Sequence, residues 1–469
     1  MKMKRLHFFL LLAGILLTAC GGDDDVTSGG DTPKPVTPST PTSWSLEITS
    51  PVTRGLSGDA SGITPTWETT DNIYVYYGNQ RVGVLHPKEH KDNASSYVQL
   101  EGNLDTPVSG AYSTSGKLSF YYQCDKGFND YTGQDGTLAT IASSFDYHVA
   151  ENVPITAVDA VNRKVTVGQF NLKPQQAIAR FSFTRPLVAN DVITISEGGN
   201  TISSITLGAN ANVAENTGYI DVALPLTANA EKHTLTFDIK RGNDANFYKT
   251  IMADKTIQNG KTYKAALVLA VQLNGVWWAT RNLADPLYGG KKFPDNEYDG
   301  GHYFAWGEKN TRNTRYDTPY DKPNDLNYSV GGNLSSGHDA AYQIWGRAWR
   351  MPTGNEMQKL SAAFPEQWSM KNELMNYPGT TAYGMKFSDP NNSDKYIFLP
   401  AAGYWTSASG GANVEGHYWT SSIWTYLDEA PYDYSTRFYF NAAHTEKVTN
   451  IWDGARNCGC PIRPVLNIQ

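Results

Sequence analysis

Cysteine is scarce in this chain of 469 residues, which contains four: Cys20, Cys124, Cys458 and Cys460. Their spacing fits no zinc-ligand pattern, and four cysteines cannot build the dense disulfide framework of a small secreted scaffold. A bridge between Cys458 and Cys460 would require an unusually tight loop, so we expect free or buried thiols there. A long-range pair with Cys124 is the alternative.

Charged residues are also few, at 18% of the chain, and lysine and arginine form no long run. The formal net charge is −7. Both features argue against a nucleic-acid partner, which requires a basic surface. Glycine (42 residues) and aromatic residues (12%) are plentiful instead, a composition typical of β-rich, loop-rich extracellular domains.

Several common catalytic motifs are absent as well. The nine histidines form no H-E-x-x-H pair, and the sequence lacks a G-x-S-x-G elbow, a P-loop and a dinucleotide fingerprint. We therefore predict a protein that is not an enzyme and that needs no cofactor.

Residues 1–20 read as a secretory signal peptide: a basic start, Met1-Lys-Met-Lys-Arg5, precedes an apolar run that is too short to remain as a membrane span. The ending Leu17-Thr-Ala-Cys20 resembles the lipobox of bacterial lipoproteins. The resemblance implies cleavage before Cys20 and acylation of its thiol, which would give a stable membrane anchor.

Residues 21–43 form a tether rich in Thr, Pro and Asp, whose prolines favour an extended spacer. Its acidic run Asp23-Asp-Asp25 resembles the surface-export signal of Bacteroidota-type lipoproteins, although a plain solvated linker is the alternative. We expect a lipid-anchored protein of the outer membrane that is exposed at the cell surface or at a pilus tip.

Short strand-like runs separated by turn signals fill residues 44–270 and predict an antiparallel β-sandwich, or two in tandem. The predicted strands are Asn72–Tyr77, Lys117–Tyr122, Ala177–Phe183, Val192–Ile195, Thr234–Ile239 and Tyr263–Leu269.

Several phrases in this region resemble the fimbrillin-like family of surface pilins and lipoproteins. They are V-T-R-G at residues 52–55, D-N-I-Y-V at 71–75, L-K-P-Q-Q-A-I-A-R-F-S-F at 172–183 and N-G-K-T-Y-K-A-A-L-V-L at 259–269. The resemblance implies two transthyretin-like sandwiches in series. In pilin members a protease cuts after an arginine and removes the first strand, and a neighbouring subunit completes the sheet by strand complementation. Arg54 and Gly55 stand where such a cut would fall, and an ordinary exposed arginine is the alternative.

Two short helices are predicted between residues 336 and 364. Ser336 is a candidate cap for the first helix, with Asp339 three residues later, and Gly346 is placed to end it. In the second helix Thr353 and Glu356 form a capping box. Its apolar residues Met357, Leu360 and Phe364 fall on one helical face.

Residues 271–469 carry ten of the twelve tryptophans and six ordered phrases: W-A-T-x-N, F-A-W-G-E, W-R-M-P-T, L-P-A-A-G, Y-W-T-S-S and P-I-R-P-V. Together these phrases resemble the Fibrobacter major paralogous domain. The resemblance implies an α+β, C-type-lectin-like fold, with two helices around a small antiparallel sheet. We expect most of the tryptophans to pack in the interior. The same fold hosts formylglycine-generating enzymes, but the C-G-C arrangement of Cys458 and Cys460 is not the one those enzymes use.

Two ligand sites are conceivable in this C-terminal region. Asp389, Asn391 and Asp394 offer oxygen ligands for calcium in a short loop, although a polar turn is the simpler interpretation. The long aromatic insertion at residues 309–334 is a candidate recognition loop, with Tyr316, Tyr320 and Tyr328 as its candidate contacts. A variable insertion without function is the alternative.

Taken together, the resemblances predict a mainly β surface lipoprotein that serves as a fimbrial tip subunit or adhesin. Its fimbrillin-like stalk would present a lectin-like head to a glycan or protein ligand on a host or bacterial surface. The second hypothesis is a surface glycan-binding lipoprotein of a nutrient-uptake system that never polymerises.

Overall fold

The protein's structure is a computed structural model that describes residues 43–48, 52–54, 67–88, 97–209, 211–226, 232–309, 329–330, 332–363, 382–405, 409–412, 414–423, 434–441 and 449–468. Strands dominate these residues, which confirms the mainly β fold class. All six strands predicted from the sequence are present, within two residues at their ends.

The first part of the fold contains eleven strands. They are β1 (Trp44–Ile48), β2 (Val52–Arg54), β3 (Ile73–Tyr77), β4 (Gln80–Pro87), β5 (Tyr97–Val98), β6 (Leu100–Glu101), β7 (Asn103–Leu104), β8 (Lys117–Tyr122), β9 (His148–Asp159), β10 (Lys164–Val167) and β11 (Asn171–Pro174). A short helix, α1 (Leu138–Thr140), and a π-helical turn (Ile141–Phe145) lie between β8 and β9.

These strands form one sheet in the order β10-β1-β7-β4-β3-β8-β9-β11-β2-β5, with β6 attached to β4. The long strand β9 also pairs with β10, so the sheet closes on itself between β9 and β1. Alternate residues of each strand point inward, as the period of two in a β-strand requires. The enclosed core includes the fully buried side chains of Val75, Leu118, Phe120 and Val165.

The second part of the fold contains nine strands. They are β12 (Ala177–Phe183), β13 (Leu187–Val188), β14 (Val192–Glu197), β15 (Asn200–Thr206), β16 (Asn212–Val213), β17 (Ile220–Leu224), β18 (Lys232–Arg241), β19 (Asp244–Thr256) and β20 (Thr262–Leu267). A three-stranded sheet, β17-β12-β20, packs on a larger sheet, and their shared core includes Phe181 of β12 and Ile193 and Phe237 of the larger sheet.

The C-terminal part contains thirteen short strands and two helices. They are β21 (Ala270–Leu273), β22 (Val276–Ala279), β23 (Ser329–Val330), β24 (Asn333–Leu334), α2 (Ala340–Trp345), β25 (Trp349–Arg350), α3 (Gly354–Ala363), β26 (Gly384–Asp389), β27 (Asn392–Pro400), β28 (Tyr404–Trp405), β29 (Ser409–Gly410), β30 (Glu415–Ile423), β31 (Tyr434–Asn441), β32 (Thr449–Ala455) and β33 (Val465–Leu466).

The larger sheet of the second part continues into this C-terminal part, in the order β15-β14-β18-β19-β21-β22-β33-β25. The predicted division of the chain after residue 270 therefore falls inside strand β21. One hydrophobic core likewise extends from Phe237 through Trp278 to Phe438 and Val465. A separate sheet, β23-β24-β30-β31-β32, carries the aromatic side chains described below.

The first predicted helix is present, but its cap differs from the prediction. Asp339, not Ser336, is the N-cap, and its carboxylate accepts a hydrogen bond from the Tyr342 backbone N–H at 3.1 Å. Its second oxygen accepts from the Met351 N–H at 2.8 Å, which ties the helix to the segment that follows. Gly346 ends the helix with φ of 98°, a conformation that favours glycine.

The second helix follows its prediction. The Glu356 N–H donates to Thr353 Oγ1 at 3.1 Å, and the Thr353 N–H donates to Glu356 Oε2 at 2.8 Å, which is the reciprocal capping box. Met357 and Leu360 are buried on one face. Phe364 lies outside the described residues. In the described part of the chain, no helix has the length and apolar character needed to cross a bilayer.

Candidate functional site

The predicted site residues fall into two groups. Cys20, Gly55, Tyr316, Tyr320 and Tyr328 lie outside the described residues, so their assignments remain predictions. The others are described in part or in full.

Arg54 is the last residue of β2, and its backbone pairs in parallel with Leu172 of β11. The preceding strand β1 lies between β10, which runs parallel to it, and β7, which runs antiparallel. The Trp44 side chain of β1 is 5% exposed, and its ring contacts Tyr112 edge-on at a centroid distance of 5.2 Å. The N-terminal strand is therefore part of the first core.

The candidate calcium residues lie at the turn between β26 and β27: Asp389 ends β26, Asn391 is in the turn, and Asp394 is the third residue of β27. One Asp389 carboxylate oxygen accepts from the Asn391 N–H at 2.8 Å, and the Asn392 side chain accepts from the Asp394 N–H at 3.1 Å. These are the local hydrogen bonds of a polar turn. No group of three or more His, Cys, Asp or Glu side chains within the described ranges could hold a metal ion. Calcium binding by this loop is thus a prediction that the structure does not test.

The three described cysteines are free thiols: Cys124 and Cys460 are buried, and Cys458 is partly buried. Burial raises the pKa of Cys124 and of Cys460 to about 12 in each case, and it also raises the pKa of Cys458. A nucleophilic cysteine requires a lowered pKa, so none of these thiols is activated.

A row of contacting rings on and beside the sheet β23-β24-β30-β31-β32 is a site that the sequence did not predict. We call it the aromatic platform and define it as Tyr404 of β28, His417 of β30, Tyr439 of β31 and Trp452 of β32. His417 lies directly opposite Tyr439, and Trp452 lies opposite Arg437, two residues along from Tyr439. The alternation of side chains thus brings His417, Tyr439 and Trp452 to one face of the sheet, and Tyr404 of the separate β28–β29 pair contacts His417 there.

The rings follow one another at contact distance. Ring centroids are 4.7 Å apart between Tyr404 and His417, 4.9 Å between His417 and Tyr439, and 5.1 Å between Tyr439 and Trp452. Trp452 stacks on Tyr439 with an angle of 22° between the ring planes. The opposite face of the same strands, with Tyr418 and Phe438, packs into the core.

Exposure increases steeply across the platform. His417 is 3% exposed and Tyr439 is 7% exposed, whereas Trp452 is 47% exposed. Other tryptophans, including Trp278, Trp306 and Trp419, are buried as expected. Trp452 departs from that expectation because one face of its indole rests on Tyr439 while much of the ring is open to solvent.

Polar groups surround the rings. Glu415 accepts hydrogen bonds from the Tyr439 hydroxyl at 3.2 Å and from the Asn441 side-chain amide at 3.4 Å, and His417 Nε2 lies 3.1 Å from the Glu415 carboxylate. The Arg437 guanidinium lies 5.7 Å from the centroid of the Tyr404 ring. An exposed flat ring beside carboxylate, amide and guanidinium groups suits a ligand that has both an apolar face and hydroxyl groups.

Burial and the charge of Arg437 lower the pKa of His417 to about 4. The imidazole is therefore neutral at physiological pH, and it donates the Nε2 proton to the Glu415 carboxylate. No step of acid–base chemistry is suggested by this arrangement, because the ring is covered by Tyr404 and Tyr439.

No family model matches the chain, and no curated protein matches it. Structural comparison matches the chain to solved structures that include two candidate cell adhesion proteins. The one from Bacteroides ovatus has 13% sequence identity and a TM-score of 0.26, and the one from Bacteroides fragilis has 14% identity and a TM-score of 0.24. They match 48% and 50% of this chain and 95% and 96% of their own. A C-terminal fragment of a pilus adhesin from Lactobacillus rhamnosus GG has 13% identity, a TM-score of 0.16, and coverage of 50% of this chain and 92% of its own. TM-scores this low carry no argument about the function of this chain.

Proposed function

We propose that the protein is a cell-surface adhesin that binds a carbohydrate ligand through its C-terminal part and serves as the tip subunit of a fimbrium. It acts without enzymatic activity or a cofactor, and Cys20 carries its lipid anchor to the outer membrane before assembly. The observation that carries the proposal is the half-exposed indole of Trp452, stacked on Tyr439 beside a polar network.

A sugar ring fits this surface for a chemical reason. One face of a pyranose presents C–H groups, which pack against an aromatic ring, and its edge presents hydroxyl groups. Glu415 accepts hydrogen bonds, Asn441 both donates and accepts them, and Arg437 donates them. Trp452 needs little rearrangement to receive the sugar because Tyr439 already supports its indole from below.

The test is a glycan array followed by titration calorimetry with the best ligand. Trp452→Ala is expected to weaken binding at least about tenfold, equivalent to about 1.4 kcal/mol. Tyr288→Ala is the matched control, since Tyr288 is an exposed aromatic residue of the same C-terminal part, at 49% exposure. Retention of binding by Trp452→Ala, with both variants folded by circular dichroism, would refute the role of the platform.

The placement of β1 supports the tip-subunit proposal. A cut after Arg54 would release β1 and β2 together, open the sheet between β10 and β7, and remove Trp44 from the core. An extended strand from a neighbouring subunit could then complete the sheet.

The position of β33 also supports the tip-subunit proposal. This strand is paired with β22 through Val465 and with β25 through Val465 and Leu466, and both side chains are buried. A strand paired on both sides within its own sheet is not available to complete a neighbour, so β33 would not serve as a donor strand.

Intact mass of the protein released from cells tests the assembly step. A mature chain that begins at Gly55 without lipid supports the tip subunit, and Arg54→Ala should prevent this processing whereas Arg81→Ala should not. A chain that begins at acylated Cys20 favours the second candidate, a glycan-binding lipoprotein that never polymerises. Immunogold labelling evenly along fibres, rather than at their ends, would exclude the tip position.

A further inference from the structure

The second part of the fold is open along one side, between strands β19 and β20. A groove of about 390 Å³ lies there, lined by residues 250–257 except Asp254 and by residues 263–268, with Ala179 and Phe181 of β12 also in its lining. We call it the β19–β20 groove. It lies outside the aromatic platform and outside the strands that Arg54 processing would release.

The backbone of β20 is unpaired toward one side. β20 pairs in parallel with β12, and the Ile178 and Thr184 N–H groups donate to the carbonyls of Lys261 and Leu267. Residues that bond to the neighbour alternate along a parallel strand, so the N–H and C=O groups of Lys264 and Ala266 point away from β12. Within the described residues no strand pairs with this edge.

The facing strand β19 also has a free edge. It pairs with β21 only at Lys249 and Ala270 among the described residues, so the same edge of residues 250–256 has no strand beside it. Two unpaired strand edges beside one groove are the feature that an extended peptide recognises, because its own N–H and C=O groups can satisfy them.

Apolar side chains occupy the depth and rim of the groove. Phe181, Met252 and Leu267 belong to the buried core and reach the groove, while Phe293 and Trp345 line it from the C-terminal part. The Trp345 indole N–H donates to the Lys292 carbonyl at 2.7 Å, which holds this aromatic rim in place. A bound strand would therefore turn apolar side chains toward the core on alternate residues.

The charged groups that line the groove are all positive. They are Lys255, Lys264 and Lys292, and no aspartate or glutamate is among the lining residues. The neighbouring Asp254 forms an ion pair with Arg347 at 2.9 Å. No ion pair of these three lysines occurs in the parts of the chain that the structure describes. Burial and the charge of Lys255 lower the pKa of Lys292, so an anion in the groove would relieve an existing repulsion.

We propose that the β19–β20 groove binds an extended peptide segment of a partner protein, in which apolar residues alternate with acidic residues, by strand addition to β20. The apolar side chains of the segment would enter between Leu267 of β20 and Met252 of β19, and its carboxylates would face Lys255, Lys264 and Lys292. This activity is independent of carbohydrate binding at the aromatic platform.

Fluorescence polarisation with the full chain and labelled hexapeptides tests the proposal. The peptide EVEVEV carries the proposed alternation, KVKVKV reverses its charge, and EVEPEV removes one backbone donor while keeping all three carboxylates. We expect EVEVEV to bind at least about tenfold more tightly than either control peptide, because charge and strand pairing both contribute.

The protein variants separate the groove from general charge effects. Lys255→Glu combined with Lys264→Glu changes two exposed side chains and should weaken EVEVEV binding at least about tenfold. Lys88→Glu combined with Lys117→Glu makes the same charge change at exposed positions of the first part of the fold and should leave binding unchanged.

Three results would overturn the proposal. They are equal binding of EVEVEV and EVEPEV, equal loss in both double variants, and binding of oligogalacturonate, an acidic sugar chain, in place of the peptide. Carbohydrate binding by the platform should persist in the Lys255→Glu, Lys264→Glu variant, so failure of this proposal is distinguishable from failure of the proposed function.

Discussion

Acidification is expected to destabilise the C-terminal sheet through His417. The pKa of His417 falls from 6.5 to about 4 in the folded protein, chiefly because the ring is buried and secondarily because Arg437 is close. Between these two values the unfolded chain binds a proton that the folded chain does not. Stability therefore rises with pH across this window and is lost as pH falls through it. Relative to pH 7, the loss at pH 5 is about 2 kcal/mol for this one group.

Urea unfolding at pH 7 and pH 5, followed by tryptophan fluorescence, measures this loss. His417→Asn removes the titrating group. Between pH 7 and pH 5, the drop in the free energy of unfolding should therefore be about 2 kcal/mol smaller for this variant than for the original protein. Glu415→Gln should leave the loss between pH 7 and pH 5 nearly unchanged and extend it below pH 4, because Glu415 favours the protonated form of His417. Parallel pH profiles for the original protein and His417→Asn would refute the reasoning.

Two further predictions concern packing and thiol reactivity. Gly416→Ala should destabilise the protein by about 1–3 kcal/mol, because a Cβ at Gly416 would overlap the buried Phe440 ring and overpacking has costs of this size. Gly208→Ala is the control, since its Cβ would meet nothing within 4 Å. Urea denaturation should show that this control changes the free energy of unfolding by less than about 0.5 kcal/mol. A Gly416→Ala protein with the same free energy of unfolding as the original would contradict the packing at this position. In the native protein at neutral pH, iodoacetamide should modify Cys460 far more slowly than the less buried Cys458, because burial raises the pKa of Cys460 to about 12. Mass spectrometry before and after unfolding checks this, and rapid native labelling of Cys460 would contradict it.

Local patterns in the sequence were sufficient for the elements that local forces specify. Strands such as β8 and β12 alternate apolar residues with a period of two, and both occur where that pattern predicts them. The capping box of Thr353 and Glu356 was predictable for the same reason, since its two hydrogen bonds join residues three positions apart.

The cap of the first helix shows where local reasoning was wrong. Ser336 and Asp339 are both chemically suitable caps. Asp339 is the cap because its second oxygen also accepts the N–H of Met351, twelve residues later. Burial raises the pKa of Asp339 to about 6, so this contact is made despite a cost to the charged form. A partner that far along the chain cannot be read from helix-capping preferences.

The mainly β class, the strand positions, the second helix and its cap follow from local sequence patterns, because each depends on neighbours in the chain. Which tryptophan is exposed depends on packing between distant segments, since Trp452 shares its residue type with the buried Trp278 and Trp419. Its stacking on Tyr439 depends on the register of β31 against β32. The β19–β20 groove likewise exists only because two edges, each unremarkable in sequence, face each other without a strand between them. Binding surfaces of this kind depend on pairing between distant segments, which composition and periodicity do not specify.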